Sequence, residues 1–157
     1  MKIRDLFLAG IIVVVWESFF AHTQLLGAFE FFPVIGALTL YDPNIRSIGI
    51  TFLMGLLASL VAVETIGLMS FAYSFAVLSV LVLDRFSQLI SKEMSYLAVI
   101  LYLSIYKFTI ILALFALNGY WDFALVELIF FIVSHSMIVY LLKNLLKPDK
   151  KDTSFIV

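Results

Sequence analysis

Cysteine is absent from this 157-residue chain, which rules out disulfides and thiolate metal sites. Charge is scarce: 13% of residues are Asp, Glu, Lys or Arg, and the net charge is −1. A balance so close to neutral gives no basic field for nucleic acid. There are three prolines and two histidines. The motifs of common chemistry are missing as well: no phosphate-binding glycine loop, no HExxH, no His and carboxylates at metal spacing, and no nucleophile elbow. No catalytic residue, cofactor or metal is expected, and the chain reads as non-enzymatic.

What is present is apolar. Hydrophobic residues make up 64% of the chain and mean hydropathy is +1.13. A soluble domain is nearer half apolar and a quarter charged. The apolar runs are continuous rather than alternating, which argues against a β-barrel. The expected fold is all-α: one polytopic transmembrane bundle of about six helices, with spans near 5–22, 27–41, 46–63, 66–83, 96–117 and 122–142 and a short tail over 143–157. The first apolar run reads as a retained helix, because Ala21-His22-Thr23 makes a poor leader-cleavage site.

The second segment is the irregular one. Glu30 and Pro33 lie near its start and Gly36 follows. Proline suits a first helical turn, and the apolar part after it is too short to span at 1.5 Å per residue. A short or broken helix is expected there, tolerable where protein surrounds it. Asp42-Pro43-Asn44 is a turn. Residues 84–95 form the most polar internal loop, with Phe86, Leu89 and Ile90 at the spacing of a short surface helix. Asn118-Gly119 marks a stop before the last span.

Lysine and arginine orient the bundle. With six crossings, one side collects Lys2, Arg4, Arg46, Arg85, Lys92, Lys143, Lys147, Lys150 and Lys151, and the other collects none. By the positive-inside rule both termini are cytoplasmic. The lysine-rich tail can also meet anionic lipid headgroups.

Glu17, Lys107, Glu127 and His135 fall well within apolar spans. Charges at such depth usually face the bundle interior and find a partner. Because the last two spans share a tight turn, Lys107–Glu127 is the expected pair, with Glu17 as the other carboxylate in reach. His135, between Ser134 and Ser136, reads either as a neutral packing residue or as a proton relay.

Small residues recur from Gly49 to Leu68: Gly49, Gly55, Ala58, Ser59, Ala62 and Gly67. At one-turn spacing they let helices approach closely. With Pro33, the run GITFLMGLL (Gly49 to Leu57) and Ile66-Gly67-Leu68 resemble the MreD family, the small membrane subunit of the bacterial rod-shape machinery. The acidic position that follows the Gly-Leu-Leu run in that family is Ser59 in this chain, and Glu64 is the nearest carboxylate.

The resemblance implies a fold similar to the substrate-binding subunits of energy-coupling-factor vitamin transporters. It also implies a membrane scaffold of the elongation complex in the bacterial cytoplasmic (inner) membrane, linking peptidoglycan synthesis to cell shape. The implied partner is an MreC-like single-pass membrane protein, and through it MreB and the RodA–transpeptidase synthase. The alternative is a small-molecule transporter subunit on the same bundle. Such subunits carry an A-x-x-x-A motif in the first helix, where this chain has Ala9 and Val13.

Overall fold

The computed structural model describes residues 8, 11, 12, 15, 30–41, 45–61, 67–87, 95–119 and 125–145. Five helices run through them: α1 (Phe32–Thr39), α2 (Ile45–Val61), α3 (Leu68–Ser87), α4 (Ser95–Asn118) and α5 (Leu125–Leu145). The described residues contain no strand. Three helices are long and apolar enough to cross a membrane, over Leu68–Phe86, Tyr96–Asn118 and Leu125–Asn144, and Ile45–Leu60 is a shorter apolar helix. Leu8, Ile11, Ile12 and Val15 are helical and exposed. Their spacing places them on one helical stripe. Glu17, the turn at Glu64-Thr65, most of the 84–95 loop and the lysine-rich tail beyond Leu145 lie outside the described residues.

The outside of this bundle is as apolar as its inside. Phe71, Phe75, Leu78 and Val82 form an exposed stripe on α3, and Val126, Phe130, Val133 and Met137 form another on α5. The inward stripe of α3 is Met69, Ala72, Tyr73, Ala76, Val77 and Val80. In water this arrangement would leave the outer face uncompensated. In a bilayer the outer face meets lipid, and the inner face gains from close packing and hydrogen bonds.

The most extensive helix contact is α3 against α4, followed by α2 against α3. Small residues make the second contact close. A Cβ on Gly55 would lie 2.6 Å from both Phe32 Cζ and Ser70 Oγ. Ser70 Oγ donates to the Phe52 carbonyl at 2.7 Å, which ties α3 to α2. Ser59 is buried and returns its hydroxyl to the Gly55 carbonyl at 2.8 Å. Gly67, at φ 84°, turns the chain into α3, a conformation natural to glycine. Gly49 does not belong to this packing: it is exposed, and a Cβ added to it would meet nothing within 4 Å among the described residues. Gly49 faces outward, so its likeness to Gly55 in sequence is not a likeness in role.

The short second segment is α1, and all eight of its residues are buried. Pro33 sits in its first turn, where the missing N–H costs no hydrogen bond. At 1.5 Å per residue α1 is about 12 Å long, less than half the roughly 30 Å hydrocarbon core. It contacts α2, α3, α4 and α5, which enclose it. Such an element is tolerated at membrane depth because its neighbours, not lipid, surround its ends.

The end of α1 marks one end of the bundle. Lys143 Nζ lies 4.0 Å from the centroid of the Tyr41 ring and 5.6 Å from that of Tyr96. Tyr96 in turn packs on Tyr140, with ring centroids 5.4 Å apart. These residues come from the exit of α1, the start of α4 and the last turns of α5. Since Lys107 and His135 are near the middles of α4 and α5, α1 rises from that end to mid-depth.

Candidate functional site

At mid-depth, where α1 begins, three chain segments converge on Glu30. Lys107 Nζ donates to Glu30 Oε1 as a salt bridge. The two side chains are 26% and 20% exposed, so the pair is mostly withdrawn from the surface while keeping one open edge. The ammonium also lies 4.8 Å from the Phe131 ring centroid on α5. The carboxylate stands just before the N-terminus of α1, where the helix dipole favours negative charge. Its second oxygen, Oε2, is buried and accepts no hydrogen bond among the described residues.

His135 closes the site from α5. Its ring is 1% exposed and packs on Phe131, with centroids 3.9 Å apart. Nε2 is 2.9 Å from the Glu30 carbonyl oxygen, and Nδ1 is 2.7 Å from the Phe131 carbonyl oxygen. Ser134 Oγ is 3.2 Å from Nδ1. One residue, Glu30, thus carries two long-range links: its carboxylate to α4 and its carbonyl to α5.

Beneath α1 the core is aromatic and hydroxylated. Phe32 packs on Tyr73 and Tyr106, and Tyr102 stacks on Tyr106. Thr39 Oγ1 donates to the Gly36 carbonyl at 2.7 Å. Its single proton is then spent, so at 3.1 Å it accepts from the Tyr73 hydroxyl. Tyr102 is fully buried, with no hydrogen-bond partner for its hydroxyl among the described residues.

The expected Lys107–Glu127 pair does not form. Glu127 is exposed in the first turn of α5, whereas Lys107 is in the middle of the 24-residue α4. A tight turn makes the helices neighbours but does not put these two residues at one depth. The partner is Glu30, which the sequence signals only indirectly. It is a carboxylate three residues before a proline, opening a helix too short to span, and that sets its charge at mid-depth. Among the sequence candidates, Lys107 and His135 meet in one site; Glu127 lies apart from it. Pro33 opens the buried helix beside that site, while Gly55 and Ser59 belong to the α2–α3 packing.

Chemically the site balances one carboxylate, one ammonium and one imidazole in a low-dielectric interior. Among the described residues, no three His, Asp or Glu side chains are grouped to hold a metal ion. No protein-family model, curated protein or solved structure matches the chain.

Proposed function

We propose that this chain is a non-enzymatic membrane scaffold of the MreD kind, which binds an MreC-like single-pass protein in the bacterial inner membrane. Through that partner it would reach MreB and the RodA–transpeptidase synthase, coupling wall synthesis to elongation. In this reading the chain crosses six times with both termini cytoplasmic, on a bundle similar to transporter substrate-binding subunits. The observation that supports it is how the interior polar groups are used. Glu30 is tied to Lys107 and His135, and Thr39 to Tyr73, bonds that fix the short helix, while the outward faces offer apolar surface to lipid or to a partner's helix. A scaffold needs that rigidity, and it needs no reacting group.

Co-purification from the native host in mild detergent tests the proposal. A single-pass protein with a coiled-coil extramembrane region should be recovered at near-equal amount. Recovery of an ATPase-linked coupling subunit in its place would sink it.

A second reading, the transporter subunit, draws on two buried groups that lack a bonding partner, Glu30 Oε2 and the Tyr102 hydroxyl. Polar groups left over beside a half-depth helix are what a small polar ligand could satisfy. A ligand retained through purification and released on denaturation would favour that reading.

A further inference from the structure

His135 faces a carbonyl oxygen with each of its ring nitrogens, Glu30 O at 2.9 Å and Phe131 O at 2.7 Å. A neutral imidazole has one N–H and can donate to one of them. Either neutral tautomer leaves a nitrogen lone pair pointed at an oxygen lone pair. The Ser134 hydroxyl does not remove the conflict. It is shared between the Phe130 and Phe131 carbonyls at 2.8 and 3.1 Å, and turning it onto Nδ1 would give up those bonds and still leave the Nδ1 lone pair 2.7 Å from the Phe131 oxygen, which already accepts a helical N–H. The doubly protonated ring donates to both.

We propose that His135 and Glu30 form a proton-binding site at the mid-depth of the bundle. A proton from hydronium adds to the bare ring nitrogen and water is released; no other bond breaks. The imidazolium then holds α5 to the residue that opens α1. Among the described helices, those packed on α5 are α1 and α4. The ionisable groups they bring are Glu30 before α1, with Lys107, Tyr102 and Tyr106 on the facing half of α4. Lys107 opposes a second positive charge. Glu30 offsets it, because Lys107 engages Oε1 while Oε2 stays buried and accepts nothing. The ligand class is the proton itself, and what responds to it is the seating of a half-depth helix. This goes beyond the scaffold reading and does not depend on it.

The test uses the full chain in lipid nanodiscs with His22→Gln, which leaves His135 as the single histidine. Nitrogen-15 NMR of the labelled imidazole is followed from pH 8 to pH 5. The expected result is a change from one protonated and one bare nitrogen to two protonated nitrogens, with carbon-13 carbonyl signals of Glu30 and Phe131 moving in the same step. Adding Ser134→Ala should leave that titration in place. One tautomer across the whole range overturns the proposal. So does a titration that leaves both carbonyls unmoved, or one that disappears in Ser134→Ala. Since no partner protein enters the measurement, its failure leaves the scaffold reading to be judged on co-purification.

Discussion

The Tyr102 hydroxyl fills the space that a side chain on Gly36 would need. A Cβ there would lie 2.0 Å from Tyr102 Oη and 2.9 Å from both Tyr102 Cζ and Tyr73 Cδ2. Both tyrosines are fully buried and held by ring contacts, so neither gives way cheaply. Gly36→Ala should therefore cost about 1–3 kcal/mol, the range for overpacking. Tyr102→Phe on top of it removes the closest atom and should return part of the loss. Thermal unfolding in detergent, read for both singles and the double, checks this; strict additivity would mean that the clash is not with the hydroxyl.

Gly55 and Gly49 provide a contrast on one helix. Gly55→Ala drives a methyl to 2.6 Å from Phe32 and Ser70 and should destabilise the bundle by about 1–3 kcal/mol. Gly49→Ala meets open space and should be neutral or stabilising by up to roughly 1 kcal/mol, since glycine inside a helix is entropically costly. Equal midpoints for the two variants would contradict the packing described for α2.

Breaking the Glu30–Lys107 bridge strands a charge in the bundle. Lys107→Met should cost roughly 1.5–3 kcal/mol, the range for a charge-assisted bond. The loss stays below the larger penalty of full burial because the pair keeps an exposed edge. Glu30→Gln in the same chain should recover much of it. Glu127→Gln in that background should recover nothing, because Glu127 is exposed in the first turn of α5. A double-mutant cycle for each carboxylate separates the two pairings; coupling to Glu127 rather than Glu30 would refute the geometry.

Thr39 is a relay between backbone and ring. Thr39→Val keeps the shape but loses the bond to Gly36 and the acceptor for Tyr73, and should cost about 1 kcal/mol or somewhat more. Thr39→Ser keeps both bonds and should lie close to the parent in the same assay. If Val and Ser behave alike, the hydroxyl carries no weight.

The elements that composition and periodicity reveal are the long ones. The apolar runs that become α3, α4 and α5 exceed what a soluble core needs, and they give the three helices long and apolar enough to cross a membrane. Pro33 with Gly36 marks a short helix, and the Gly55–Ser59 spacing marks close packing. The site is legible in part: Lys107 and His135 stand out as polar residues inside apolar runs. Their partner does not, because Glu30 sits outside a regular span and its depth depends on where α1 starts. Nor does the sequence separate Gly49 from Gly55, or reveal that the carbonyl of Glu30 matters as much as its carboxylate. Those facts depend on contacts that bridge sequence separations of 77 and 105 positions.

The shortness of α1 has a consequence for biosynthesis. Eight residues are too few to be released sideways into lipid as a span while the chain emerges. The helix takes its place once something encloses it, and two of its walls, α4 and α5, are the last of the five helices to be made. The link from His135 back to Glu30 closes only after almost the whole bundle exists. A chain stopped after Asn118 would lack the α5 wall and leave α1 without its full enclosure. Insertion of the helices and completion of the interior are therefore separate events in time.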